Sequence, residues 1–426
     1  MSGSRRCPAD ADSTPDAVQE TQGGHVTITP VTQKDLTRRR LLAAALAAGV
    51  GAAVPISAPG RAWAAPTDPG PSQLTLPRPT GPHPVGTVPL HLVDTSRPDP
   101  AAGPGHHREL MASVWYPARK TKDLPRAPWM PRGALRAFLA DAGFPLDPAL
   151  GPLTAAHADA PVHRTGRRLP VLVYAHGASS HRGDHTIMVQ ELASHGYAVV
   201  TVDHTYDAFS EFPDGRLTVP AQVPPFLGPR DFATDIRFVL DTVEGLAAGH
   251  NPDADGRPLP QGLLGALDPQ RIGAFGWSKG GTATALTMLA DQRIGAGLSI
   301  DGPMQPTVTA DLDRPFMMMT ASFTRAAMPD VAEFWTHLRG WRLNIQADGA
   351  VHKTYGDYAT LIPQAGTILG LTDQQVQDMI GTLDPTRAVR IQQAYPLAFF
   401  DQHLRHRQGH LLDGPSAAFP EVRFIA

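Results

Sequence analysis

Hydrophobic positions follow two regimes along this chain. Val85–Val93 and Glu109–Tyr116 alternate apolar and polar residues with period two, the pattern of half-buried strands, and their succession predicts an antiparallel N-terminal hairpin at the edge of a sheet. Pro89 lies in the first of them, and a residue without an N–H suits an edge strand and not a central one. Beyond about residue 168 the apolar runs become short and unbroken: Leu169–Tyr174, Tyr197–Val202, Arg271–Phe275, Ile294–Ile300 and Pro315–Thr320. Helix-period segments such as Ile187–Ala193 and Asp231–Leu240 separate most of them. Continuous apolar strands alternating with helices predict an α/β fold whose central sheet is mostly parallel and covered by helices on both faces. Trp341–Ile345 reads as a final strand, and no internal repeat of fixed period interrupts the pattern.

The N-terminal part has another character. Thr37–Leu42, which carries Arg38, Arg39 and Arg40, precedes a run rich in Ala, Leu, Gly and Val that ends in Ala62, Trp63 and Ala64. This is the layout of a twin-arginine export signal with a small-residue cleavage site. Pro55 interrupts the run, which also falls short of the roughly 20 apolar residues a spanning helix needs. Residues 1–64 are therefore expected to engage the twin-arginine machinery and be removed, leaving a secreted mature chain with no stable membrane span. Residues 65–82 form a Pro-rich extended segment, and 83–426 a single domain with cap or loop insertions near 119–168 and 210–229.

Composition narrows the function classes. With 426 residues, 18% charged and 42% hydrophobic, the chain has enough apolar material for one large core. A formal net charge of −3 argues against nucleic acid as a partner, since nonspecific affinity for phosphates rests on clustered Lys and Arg. The sole cysteine, Cys7, lies in the leader, so the expected mature chain has neither disulfide nor thiolate chemistry.

The sharpest chemical signal is GAFGWSKGGTATAL, Gly273–Leu286. Gly-x-Ser-x-Gly has mechanical meaning between a strand and a helix, where the flanking glycines let the chain turn sharply and expose the serine Oγ. Here Ile272–Phe275 reads as the strand and Thr282–Leu289 as the helix, with Gly276, Gly280 and Gly281 permitting close backbone approach. The bland alternative is a glycine-rich bend with an incidental serine; the flanking elements favour Ser278 as a nucleophile.

A serine nucleophile needs a base held by a third group, and in this arrangement the order along the chain is serine, acid, histidine. Asp301 ends the next apolar run and so falls at the carboxyl edge of the adjacent strand, where parallel sheets bind ligands. An Asp before Gly is also an ordinary turn former, and Asp330, after the following strand, is the competing acid. Among later histidines, His337 falls in a helix-period segment, while His403, His406 and His410 lie in or after the amphipathic segment Ala388–Phe400. His352 follows a turn after a strand and is the best-placed base. The oxyanion of acyl transfer needs backbone N–H donors: that of Lys279, after the nucleophile, and that of Ala178, just beyond His176 and Gly177 in the loop after an early strand. His176 precedes the elbow and reads as a loop-ordering residue.

These motifs resemble the platelet-activating factor acetylhydrolases of the secreted and type II class, within the α/β-hydrolase fold. The resemblance spans most of residues 81–405 and is carried by Gly81–Gly86, His176 and Gly177, Leu192–Tyr197, Val202–His204, Gly276–Gly281, Ile300–Gly302, and Val351 and His352 followed by Tyr355–Tyr358. It implies Ser278 as nucleophile, Asp301 as orienting acid, His352 as base, Ala178 and Lys279 as oxyanion donors, and no metal or cofactor. The short interval from serine to acid supports Asp301 over Asp330. Trp277 and Lys279 depart from the family elbow, which commonly has His and an apolar residue there. A lysine at a helix N-terminus opposes the dipole by a few tenths of a kcal/mol; it either points to solvent or favours an anionic head group.

The expected function is thus a serine esterase acting on short acyl esters of lipids. A general carboxylesterase, lipase or polyester hydrolase on the same scaffold is the nearest alternative, and a noncatalytic binding protein that has kept the scaffold is the alternative of another class.

Overall fold

The computed structural model describes residues 73–99, 101–164 and 166–426. The expected leader and the first residues of the Pro-rich segment lie outside the described residues. The chain first forms β1 (Val85–Pro98), β2 (His107–Pro117), β3 (Arg126–Pro128), α1 (Arg132–Ala142) and β4 (Leu153–Ala158). The alternating part follows: β5 (Leu169–Ala175), α2 (Thr186–Ser194), β6 (Ala198–Asp203), the short β7 (Ser210–Glu211) and β8 (Leu217–Thr218), α3 (Pro229–Ala248), β9 (Leu267–Trp277), α4 (Lys279–Ala290) and β10 (Ile294–Ile300). Then come β11 (Phe316–Thr320), α5 (Pro329–His337), β12 (Arg342–Ala347), α6 (Tyr358–Leu369), α7 (Asp373–Ile380), α8 (Pro385–Leu404) and β13 (Val422–Phe424).

Eleven strands make one sheet in the order β13-β12-β11-β10-β9-β5-β6-β2-β1-β4-β3. From β12 to β6 all neighbours are parallel, so their carboxyl ends share one edge. Successive strand residues point to opposite faces, and both faces are apolar: Leu172 and Tyr174 pack in one core layer with α2 and α8, Val171 and Val173 in the other with α3 and α4. Helix α3 shows how the sequence produces this. Pro229 starts it at a position where a missing N–H costs nothing, and Phe232, Ile236, Val239, Leu240, Val243 and Leu246 recur at helical spacing and are all buried.

The expected hairpin is β1–β2, paired antiparallel, but it does not close the sheet, because β4 and β3 add strands beyond β1. Strand β4 covers only Val85–Thr87. Along the uncovered part the outward groups of β1 find other partners: His91 N–H donates to Asp253 Oδ2 at 3.1 Å and its carbonyl accepts from Ala254. Pro89 shares that outward parity, so its missing N–H removes no sheet bond. At the opposite edge β12 is not the last strand; β13, too short to carry a periodic signal, pairs with it antiparallel.

A buried ionic knot fixes the carboxyl end of β6, from which the loops toward the site depart. Arg108 forms a bidentate pair with Asp235 of α3, with Nε to Oδ1 at 3.1 Å and Nη2 to Oδ2 at 2.7 Å. Its Nη1 reaches Asp99 and the Thr205 carbonyl, both at 2.9 Å. His204 Nδ1–H donates to Asp235 Oδ2 at 2.9 Å, and Arg97 also pairs with this carboxylate. Burial alone would raise the Asp235 carboxyl; the Arg108 guanidinium and the His204 bond instead hold it far below the usual carboxylate range. Burial drives the His204 imidazole down to about 3. Removing one member of such a knot leaves charge without compensation, so Asp235→Ala should lower unfolding stability at pH 7 by about 3–5 kcal/mol, measured by urea denaturation. A depressed folded pKa contributes stability that is complete above the unfolded value, near pH 4, and is lost as the pH falls below it. The difference between variant and native protein should shrink correspondingly in acid.

Candidate active site

Ser278 sits at the junction of β9 and α4 with φ 55° and ψ −119°, a conformation that residues with a side chain adopt rarely and at a cost of about 1–3 kcal/mol. The glycines around it leave no alternative. A Cβ on Gly276 would lie 2.3 Å from the Gly280 backbone, and one on Gly280 would lie 2.1 Å from the Ala175 carbonyl at the end of β5. One on Gly281 would meet Ser299 Oγ at 2.5 Å. Close packing of helix α4 on β9, β5 and β10 is therefore what drives the serine outward at the carboxyl edge.

The structure brings Asp301 and His352 together. His352 Nδ1–H donates to Asp301 Oδ2 at 2.6 Å. The carboxylate is fully buried, yet it also accepts N–H bonds from Ala321 (2.7 Å), Ser322 (3.1 Å) and Phe323 (2.8 Å) in the loop after β11. Hydrogen bonds to a charged group contribute about 1.5–3 kcal/mol each, enough to offset both burial and the positive φ of 45° at Asp301. The loop holding His352 is tied down in turn: Val351 N–H donates to Thr354 Oγ1, which donates to the Ile380 carbonyl, both at 2.7 Å.

Trp277 couples this pair to the elbow. Its Nε1–H donates to the His352 carbonyl at 2.9 Å, and its ring packs against the imidazole at a tilt of 32° with centroids 4.8 Å apart. Phe323 packs edge-on against the imidazole at 4.9 Å. His352, far from Ser278 in sequence, is thus held against the residue that directly precedes Ser278. On the other side, the loop after β5 closes in: a Cβ on Gly177 would lie 2.5 Å from the Trp277 ring and 3.1 Å from Ser278 Cβ. Ala178 follows directly. Among the described residues neither the Ala178 N–H nor the Lys279 N–H has an acceptor. His176 sits within its own loop, bonded through Nδ1 to the Gly177 carbonyl and accepting at Nε2 from His204 N–H.

Other candidates stay apart from this constellation. Asp330 lies at the start of α5 and accepts from Gln305 and Thr307 on an exposed loop. His337 bonds Asp311 and Glu333, and His410 is fully exposed beside Asp413. Lys279 corrects both expectations for it. Its ammonium neither points to solvent nor stands open to a head group; it pairs with Asp207 and donates to the Leu227 carbonyl at 2.8 Å.

Sequence reasoning missed a buried polar layer beneath the site. Asp184 accepts from Ser180 Oγ at 2.6 Å, from the Tyr174 hydroxyl, and from His185 Nδ1 at 3.0 Å. Burial opposes its ionisation, but His185 and His181 beside it hold the carboxyl at about 2. Asp357 accepts from Trp129 Nε1 at 2.8 Å and from Thr186 and Ile187 N–H, both at 2.9 Å, so it caps α2 from a distant part of the chain. Burial pushes its carboxyl up to about 6, with the Ile187 bond opposing. No local spacing announces either acid. The only hint was for Asp357, which falls within Tyr355–Tyr358 close after His352.

The family profile of platelet-activating factor acetylhydrolase, isoform II, matches residues 70–210 and 239–413. A probable 1-alkyl-2-acetylglycerophosphocholine esterase of Arthroderma benhamiae is 28% identical over 393 residues, 83% of this chain and 95% of that protein. The platelet-activating factor acetylhydrolase of Cavia porcellus is 22% identical over 366 residues, 78% of each chain. Among solved structures, a ferulic acid esterase from Streptomyces cinnamoneus superposes with a TM-score of 0.71 at 32% identity, covering 83% of this chain and all of that one. The fold is that of the α/β-hydrolases. The chain belongs to the platelet-activating factor acetylhydrolase family and is a carboxylic ester hydrolase, which sets aside the noncatalytic scaffold.

The elbow geometry makes a direct prediction. Gly280→Ala must push a methyl into the β5 carbonyl and should destabilise the fold by about 1–3 kcal/mol. Gly245→Ala, inside α3 with open space around it, should stabilise by about 0.5–1 kcal/mol. Denaturant midpoints of the two variants should therefore move in opposite directions.

Proposed function

We propose that this chain is an exported serine esterase in which Ser278, His352 and Asp301 form an acyl-transfer triad acting on short acyl esters of lipids. The observation that carries the reading is the 2.6 Å bond from His352 Nδ1–H to the buried Asp301 carboxylate. With the Nδ1 proton committed to the acid, Nε2 is left as the basic nitrogen, the tautomer a serine base requires.

In the proposed reaction Ser278 Oγ attacks the ester carbonyl while His352 Nε2 takes its proton. The carbonyl electron pair moves onto oxygen, which the Ala178 and Lys279 N–H groups receive; each such donor contributes about 10²–10³ in kcat. Asp301 stabilises the imidazolium and stays ionised. His352 then gives its proton to the leaving alcohol as the C–O bond breaks, leaving an acyl-Ser278 ester. Water, deprotonated by the same nitrogen, attacks this ester and releases the acid, restoring the serine.

The lipid ester reading draws on the names of the relatives and on the family. A second reading, a larger aromatic acyl group, draws on the likeness to the ferulic acid esterase. Export draws on Arg38, Arg39 and Arg40 ahead of the apolar run. No helix among the described residues is long and apolar enough to cross a membrane.

A fluorophosphonate probe should label Ser278 in the native protein and fail on Ser278→Ala; an unlabelled native protein sinks the reading. Asp301→Asn should lower kcat by about 10³–10⁴, whereas Asp330→Asn should leave it near the native value, and the reverse result would move the acid. Hydrolysis rates on p-nitrophenyl acetate, long-chain esters, methyl ferulate, a polyester film and a short sn-2 acyl phospholipid decide the substrate class. Preference for the short phospholipid is expected.

A further inference from the structure

We infer that Asp207 is a positioning residue that holds the two proposed oxyanion donors in register, through an ion pair with the Lys279 side chain. The inference rests on the proposed roles of the Ala178 and Lys279 N–H groups. Those two groups belong to separate elements, the loop after β5 and the first turn of α4. One oxygen can receive both only if their separation is kept, and displacements near 1 Å at such a site cost about 100-fold in rate.

A single carboxylate spans the gap. Asp207 is almost wholly buried. Its Oδ1 accepts the N–H of Ser179, directly after Ala178, at 2.7 Å, and its Oδ2 pairs with the ammonium of Lys279. Ser179 has φ 53°, a left-handed conformation that a serine keeps only when its surroundings impose it. The bond to Asp207 is such an imposition, and it sets the peptide plane next to the Ala178 donor. The adjoining bond from Phe209 N–H to the Ser180 carbonyl, 3.0 Å, stitches the same two loops together.

Asp207 is itself held from behind. Its N–H donates to the His204 carbonyl at 2.8 Å, and His204 is locked to Asp235 in the buried knot. Lys279 has little freedom either: its second bond goes to the Leu227 carbonyl, and its ammonium lies 5.2 Å above the Phe232 ring. A cation at a helix N-terminus is unfavourable by itself. The carboxylate of Asp207 removes that penalty and turns the lysine into a strut between helix and loop.

The test uses the full-length protein, with p-nitrophenyl acetate as substrate and a trifluoromethyl ketone as a mimic of the tetrahedral oxyanion. Asp207→Asn and Lys279→Met should each lower kcat by about 10- to 100-fold with KM within about 2-fold. Inhibition by the ketone should weaken by the same factor. The double variant should be no worse than the poorer single one, since both remove one interaction, and Lys279→Arg should recover most of the loss. Unchanged kcat in folded Asp207→Asn, a loss confined to KM, or additive losses in the double variant would each overturn the inference. If Asp207→Asn does not fold, Lys279→Met decides on the same criteria. Activity that survives Ser278→Ala would instead mean that the underlying triad reading had failed. Loss in Ser278→Ala with native kcat in Asp207→Asn would mean that the clamp alone had failed.

Discussion

The structure depends on one backbone constraint, the turn at Ser278. Helix α4 packs so tightly against β9 and β5 that three glycines have no room for a side chain, and the residue at the apex is forced to φ 55°. That conformation is unfavourable in isolation. It persists because strand and helix are both committed to large buried layers, one on each side of the sheet. Strain at the apex is small against the burial that over-determines it.

Around this turn the protein arranges polar groups that are buried but paired. Asp301 receives three backbone N–H groups and one imidazole; Asp184 and Asp357 brace the floor; Asp207 faces Lys279 across the mouth of the elbow. An unpaired carboxylate in any of these places would cost several kcal/mol. Asp301, Asp357 and Asp207 are instead tied to backbone donors from other segments, so these three act as rivets between loops that periodic structure does not connect, while Asp184 is satisfied by neighbouring side chains. The carboxyl edge of the sheet becomes a rigid surface although it is made mostly of turns.

Much of this was legible beforehand. The strand positions, the alternation with helices and the elbow all arise from patterns a few residues long, and they appear close to where periodicity puts them: Leu169–Tyr174 became β5, Ile294–Ile300 became β10. That Asp301 and not Asp330 meets His352 was also legible, because an acid at a strand's carboxyl end is carried to that edge by the sheet itself. Less legible was the sheet's outline. The hairpin was expected at the edge, but β3 and β4, too short and irregular to read, lie outside it, and β13 lies beyond β12.

The sequence by itself determined the fold class, the sharp turn at Ser278 and the place of Asp301 at a strand end, because periodicity, glycine content and strand ends are local properties. Only the tertiary structure decided where the charge of Lys279 goes and which residues hold His352 in place. Its partner Asp207 is 72 positions away, and Trp277 is 75 positions from the carbonyl it binds. Such contacts are set by how whole loops pack over the sheet, and no short stretch of chain contains that information.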